Sequence, residues 1–309
     1  MKGGQNMKFD IYEEVTNRII KQLEGGVIPW HKPWKVSGVK IRGAEDLRTV
    51  AFNRITKSAY SALNQMLLSR PGEYASFKQW NELGGKIKKG AKSEIVVFWK
   101  WIDIKKKIDE KDPDSEEKLV KVPHLRYYQV FHIDDVEGVE PLSFDQINEP
   151  TEFDPVEEAE AIIDNYVAAE RIKLGYGGNR AFYSPALDAI QLPERFQFGK
   201  KGGEFYSTAF HELVHSTGAK HRLDRLKASA FFGNEEYSKE ELVAEIGAAG
   251  MLNLLGIETE GTFRNSAAYV QSWLGALKGD KTLIVSASTR AEKALRYIVN
   301  GKEETEAAS

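Results

Sequence analysis

The residues His211-Glu212-Leu-Val-His215 set two histidines four positions apart with a glutamate directly after the first. On a helix, positions i and i+4 share a face and lie about 5–6 Å apart. Both imidazoles can therefore reach one metal ion at ~2.0–2.1 Å, the length of a zinc–nitrogen bond. Glu212 is turned roughly 100° around the helix from His211. From there its carboxylate can hold and deprotonate a water on that metal without ligating it, which is general-base chemistry. Zinc is the cofactor to expect, although the same donors accept another divalent metal. Phe210, Leu213, Val214 and Thr217 form the apolar stripe that would seat this helix, Ser207 or Thr208 can cap its start, and Gly218 suits its stop.

The elements that position those side chains belong to a chain of 309 residues, 41% hydrophobic and 11% aromatic, enough for two domains with a core each. It contains no cysteine. That excludes a disulfide framework and a thiolate zinc site, so any metal must be held by histidine and carboxylate. No apolar run approaches eighteen residues and the first residues carry no signal-peptide pattern, so a cytoplasmic protein without a membrane partner is expected. The net charge of −3 conceals an asymmetry. Residues 1–133 hold 25 Lys and Arg against 16 Asp and Glu, a balance of +9, whereas residues 134–309 hold 18 against 30, a balance of −12. The basic half should meet an anionic partner.

Along that half, Asp10 with Glu13 makes a helix start, and Ile11, Val15, Ile19 and Leu23 continue at helical spacing to Gly25-Gly26. Ile28-Pro-Trp-His-Lys-Pro-Trp34 follows, where prolines break the helix and leave Trp30, Lys32 and Trp34 either available to a ligand or closing the core. Arg54 leads through a turn to Tyr60, and Ser61 can cap a short helix that ends before Pro71. Ser76 and Gln79 form a capping box for another, which stops at Gly84-Gly85. Lys86, Lys88, Lys89 and Lys92 then crowd a glycine-bounded turn ahead of the strand Ile95–Trp99. Lysines that track phosphates beside rings that stack bases are what a single-stranded nucleic-acid groove requires; a merely solvated charge cluster is the plainer alternative. Residues 105–118 are expected to form a hairpin connection, and Leu125–Ile133 returns as a second strand with His124 and His132 on the sheet surface.

Together, Pro29–Trp34, Tyr60–Asn64, Phe77–Gly85, Val97–Trp99 and Tyr127–Phe131 resemble the N-terminal domain of ArdC-type antirestriction proteins. The resemblance covers nearly the whole chain, because that family follows this domain with a zincin-like metallopeptidase domain. It departs at Ser61-Ala-Leu, where Gly-Ile is expected, and at Ser216, where an aromatic is expected. It implies an α+β fold: a small α+β domain binding single-stranded DNA over residues 1–136, an acidic linker over 137–152, and a zincin-like domain with a short edge sheet and the two-histidine helix over 153–309.

Catalytic zinc usually has three protein ligands and one water, so one ligand remains to be found. The helix from Ser238 to Leu252 offers Glu241 and Glu245 on one face, with Glu240 turned away. Zincins with a glutamate ligand have a pattern like E-x-x-A-[DE], and this resemblance points to Glu241 on the metal with Glu245 behind it, bonded to a ligand histidine. Ser238 and Glu241 also fit a capping box, in which case Glu245 would be the ligand. His221 is a minor candidate from the extended spacing after His215.

Before these helices, Asp154-Pro155 starts a helix, and Arg180–Pro185 with Asp188–Pro193 read as two strands of an edge hairpin able to pair an extended peptide. Asn265–Leu274 and Thr289–Val299 read as two further helices, with Tyr269 or Arg222 available to stabilise an oxyanion. Two functions fit: a protein of a mobile element that shields single-stranded DNA from restriction, or a DNA-localised zinc metalloprotease with a protein or peptide substrate.

Overall fold

The computed structural model describes residues 9–31, 50–107, 117–142, 155–198, 202–226, 235–257 and 266–301. Helix α1 (Ile11–Glu24) begins where the Asp10 carboxylate accepts the backbone N–H groups of Tyr12 at 2.9 Å and Glu13 at 3.4 Å. Its buried stripe is Val15, Ile19 and Leu23, and Trp30 is sealed behind it in a single 3-10 turn, Pro29–His31. The strands β1 (Ala51–Asn53), β2 (Gly72–Ser76), β4 (Glu94–Lys107) and β5 (Glu117–His132) form a sheet in the order β1-β2-β5-β4. Only the β1–β2 pair is parallel. Helices α2 (Ala62–Leu67) and α3 (Phe77–Glu82) sit between these strands, and the Ser76–Gln79 capping box opens α3 as its sequence requires. Two-residue strands β3 (Lys86–Ile87) and β6 (Val136–Glu137) pair beside them.

The hairpin differs from expectation. β4 and β5 are in register over fourteen pairs, from Glu94 with Val130 to Lys107 with Glu117, so strand continues into both ends of the charged run. Pro123 pairs with Trp101 inside it. Beyond β2 the outer edge of β5 has no neighbouring strand among the described residues, so a proline there forfeits no ladder bond. His132 also differs. It is 5% exposed, with its Nε2 2.8 Å from the Pro71 carbonyl and its Nδ1 accepting the Asp134 N–H, whereas His124 is on the surface as expected.

In the second half, α4 (Pro155–Glu170) precedes β7 (Lys173–Tyr176), β8 (Phe182–Ser184) and β9 (Ala189–Leu192), ordered β7-β9-β8. β7, unlike the two expected strands, lies outside the edge hairpin; it pairs parallel to β9 and places β9 in the middle, leaving β8 at an edge. This sheet packs on α5 (Gly202–Thr217), which also contacts α6 (Glu235–Leu255) and α8 (Leu283–Asn300), while α7 (Ser266–Gly279) packs on α6 and α1. α5 and α6 begin before the caps expected from sequence, and α8 begins before the expected Thr289.

One apolar core runs through both halves. Val15, Ile19, Trp30, Met66 and Val97 belong to the same buried cluster as Phe210, Leu242, Trp273 and Leu295. The rings of Trp30 and Trp273 meet edge-on at 5.1 Å. Polar ties cross the same junction: Thr16 donates to the Lys281 carbonyl at 2.7 Å, Lys278 pairs with Glu24 at 2.8 Å, and Glu292 accepts the Ala62 N–H at 2.5 Å, supplying the cap of α2 that Ser61 does not. No described helix is long and apolar enough to cross a membrane.

Candidate metal centre

The two-histidine helix and the glutamate helix lie unusually close. A Cβ on Gly247 of α6 would sit 2.7 Å from a Val214 methyl carbon, so glycine is required mid-helix despite a propensity cost of ~1 kcal/mol. That approach brings Glu241 under the imidazoles. Its carboxylate oxygens lie 3.2 Å from His215 Nε2 and 3.5 Å from His211 Nε2, and the two Nε2 atoms are 3.0 Å apart. Donor atoms of His211, His215 and Glu241 all fall within 4.8 Å of one another, and this is the one such group of three among the described residues. Two imidazole nitrogens and one carboxylate form a donor set that fits a divalent metal.

The outward nitrogens are held as well. His211 Nδ1 faces Glu245 at 3.6 Å, and His215 Nδ1 faces Glu240 at 3.5 Å. Carboxylates behind both rings aim each Nε2 at the shared point. Glu240 is thus not idle, contrary to its expected orientation. It is clamped in turn by Arg225, whose Nε and Nη2 donate at 3.1 and 2.8 Å, while the same guanidinium donates to the Val214 carbonyl at 2.7 Å and the Thr217 hydroxyl at 2.8 Å. Arg225 therefore ties the last turn of α5 to the start of α6. A sequence reading misses this pair because nothing local marks an arginine eight residues beyond Thr217 as its neighbour.

Electrostatics separate the three acids that face the imidazoles. Burial opposes ionisation of Glu241, but His211 and His215 outweigh it and hold the carboxyl far below its ordinary range. Burial likewise works against Glu240, and His215 and Arg225 again keep it lowered. Glu245 is raised, because its burial outweighs the opposing charge of His211. Glu212 is 8% exposed and makes no hydrogen bond or ion pair among the described residues, so its lone pairs remain available to a reactant. In both histidines burial is overridden by carboxylates, Glu241 for His211 and Glu240 with Glu241 for His215, so each is raised above its ordinary value. Glu240→Gln is expected to weaken divalent-metal binding about 10- to 100-fold, with Arg225→Ala in the same direction. Competition against a chelating dye measures both; unchanged affinity in either would remove the clamp from the site.

Other candidates are excluded from this centre. α6 starts at Glu235, so Ser238 lies inside the helix, its hydroxyl 3.1 Å from that of Ser272, and the alternative capping box does not form. His221 has the metzincin-like spacing Gly218-Ala-Lys-His221 after His215, but its side chain is 60% exposed and 3.4 Å from Asp188. Arg222, an expected oxyanion stabiliser, has a fully buried side chain bonded to Asp188, Glu170 and the Ser216 carbonyl. It braces the loop after α5. The side chain of Tyr269 lies outside the described residues.

Among residues expected to contact DNA, Trp30 is the clear correction: it is 0% exposed against Trp273, so its faces serve the core. Lys32 and Trp34 lie outside the described residues. Arg54 is paired with the buried Glu73, which also accepts the Leu142 N–H at 2.7 Å, and Tyr60 is half-buried against Tyr74. Lys86, Lys88, Lys89 and Lys92 are all exposed, with Lys88 donating to the Asp134 carbonyl at 2.7 Å.

Comparison with known proteins finds a different family for each half of the chain. A family described as the N-terminal domain of anti-restriction factor ArdC matches residues 9–131, and one described as zincin-like metallopeptidase matches residues 158–290. The metal-free crystal structure of antirestriction protein ArdC from plasmid R388 is 34% identical, covers 96% of this chain and 99% of that one, and superposes with a TM-score of 0.69. Its Mn(II)-bound form gives 32% identity and a TM-score of 0.68. An uncharacterised protein, y4eC of Sinorhizobium fredii, is 30% identical over 292 residues, 92% of this chain and 90% of its own length. DNA primase TraC of Escherichia coli is 33% identical over 305 residues, but the chain spans only 20% of that protein's length.

Proposed function

The chain belongs to the ArdC family of antirestriction proteins, and from that premise we propose that it binds single-stranded DNA through its basic half and carries a zinc-type peptidase centre in its acidic half. We place it in the cytoplasm, acting for a mobile element whose DNA arrives as a single strand. The proposed divisions are residues 1–136, a linker over 137–152, and residues 153–309. The observation that carries the metal half is the convergence of His211 Nε2, His215 Nε2 and Glu241 beside an unengaged Glu212.

In this reading His211, His215 and Glu241 hold a divalent ion, zinc for preference, with Glu245 and Glu240 fixing the imidazoles from behind. When bound, such an ion supplies Lewis acidity to a polarised carbonyl and acidifies water. Glu212, one position after His211 and free of other partners, takes up the proton released and returns it to a leaving amine. The edge strand β8 can pair an extended peptide by strand addition. This favours a second reading, a DNA-localised metallopeptidase, in which the same Glu212 is the central residue.

The DNA half rests on charge. Lys86 on β3 and Lys88, Lys89 and Lys92 just after it are all exposed, and the half that holds them carries the +9 balance. Binding that neutralises phosphates without reading base edges should show little sequence preference and should weaken as salt rises. Replacing Lys86, Lys88 and Lys89 together by alanine is expected to lower the slope of log affinity against log salt by about 2, at ~0.7 per phosphate contact on a single strand. A titration of labelled oligothymidylate with the full chain measures it. Binding that ignores salt would sink the charge-based reading.

A further inference from the structure

The sheet has two unlike faces. In β4 and β5 directly paired residues share a face, and successive residues alternate. One face carries Ile95, Val97 and Leu125 into the main core. The opposite face begins with Val96 and Val130, which join Ala51, Leu68 and Tyr74 in a small separate cluster with Tyr60 packed at its edge. Beyond that cluster the second face opens to solvent as Phe98, Tyr128, Arg126, Lys100 and His124.

Phe98 and Tyr128 are stacked there with centroids 4.7 Å apart and planes 5° from parallel. Tyr128 remains 59% exposed, so one side of its ring is free to continue the stack. Arg126 stands directly across from Phe98, and Lys100 across from His124. Neither Arg126 nor Lys100 makes a hydrogen bond or ion pair among the described residues. Farther out the same face adds Lys118, while the acidic Asp103 lies on the other face with Lys121 and Trp101. A stacked aromatic pair flanked by unpaired cations, with no acidic side chain between Val96 and Ile104 or between Lys118 and Val130 on that face, suits planar rings joined by anionic links.

We infer that this face is the stacking platform for a single strand of nucleic acid, with Tyr128 extending the ring stack onto a base and Arg126 and Lys100 meeting the flanking phosphates. The inference rests on the proposed DNA binding and assigns it to a face. It also explains how stacking is supplied when Trp30 is unavailable. The exposed Trp101, on the opposite face of the same ribbon, contributes nothing to binding in this arrangement.

That opposition provides the test, made with the full chain and a fluorescent oligothymidylate followed by anisotropy across a salt series. Tyr128→Ala is expected to weaken binding roughly 5- to 150-fold, the range for losing one base–aromatic stack. Tyr128→Trp should restore it. Arg126→Ala with Lys100→Ala should reduce the salt slope by about 1.4. Trp101→Ala should bind as the parent does. Circular dichroism confirms that each variant folds. If the parent chain does not bind the oligomer, the proposed DNA binding fails and this assignment with it. If the parent binds but Tyr128→Ala stays within twofold of it, or Trp101→Ala loses as much as Tyr128→Ala, the assignment alone is overturned.

Discussion

Glu212→Gln is expected to abolish peptide hydrolysis, by about 10²- to 10⁴-fold, while leaving metal content and single-strand affinity unchanged. Glutamine keeps the size of the side chain and removes the basic oxygen. His211, His215 and Glu241 retain their positions because Glu212 bonds to none of them. The proposed strand binding is assigned to a different surface and should not change. The same variant separates the two proposed functions. If shielding of DNA is the main activity, Glu212→Gln protects transferred DNA about as well as the parent. If proteolysis is the main activity, protection falls with turnover despite normal metal and normal DNA affinity. His211→Ala is the companion control. It should lose both metal and hydrolysis, and elemental analysis showing a stoichiometric ion in that variant would move the centre elsewhere.

Cutting the chain after residue 142 is expected to yield two pieces that do not fold. The first would expose Val15, Ile19, Leu23, Trp30 and Met66, all of which lie in the cluster shared with α6, α7 and α8. At ~1.5–3 kcal/mol for each large apolar side chain, their exposure costs on the order of 10 kcal/mol, comparable with the ~5–15 kcal/mol that holds a typical protein folded. The second piece would bare Trp273 and the neighbouring helices. Sedimentation and circular dichroism of the separate pieces check this. A soluble, cooperatively melting fragment 1–142 would show that the junction is dispensable.

This junction marks where sequence reading stopped. The composition suggested two domains with a core each, because hydrophobic content says how much is buried but not against what. The caps of α1 and α3 were legible since Asp10, Ser76 and Gln79 act on residues two or three positions away. The long ribbon was not. Its alternation is diluted by lysines and broken by Pro123, and only the open edge of β5 makes that proline harmless. The centre divides the same way. His211, Glu212 and His215 share one helical turn and need no tertiary information. Glu241 lies across a helix contact that depends on Gly247, and Glu240 with Arg225 depends on a loop whose path no local pattern encodes.

The ties among Trp30, Trp273, Thr16, Lys281, Ala62 and Glu292 also bear on how such genes can be rearranged. A recombination breakpoint between the halves would give each daughter gene an unfinished interior, so crossovers there should be selected against. Exchange between genes should carry both halves as a single cassette, with accessory segments joined at its outer borders. Covariation across many such genes should then be strongest between α1 or α2 and the last two helices, far apart in the reading frame yet inherited as one contact.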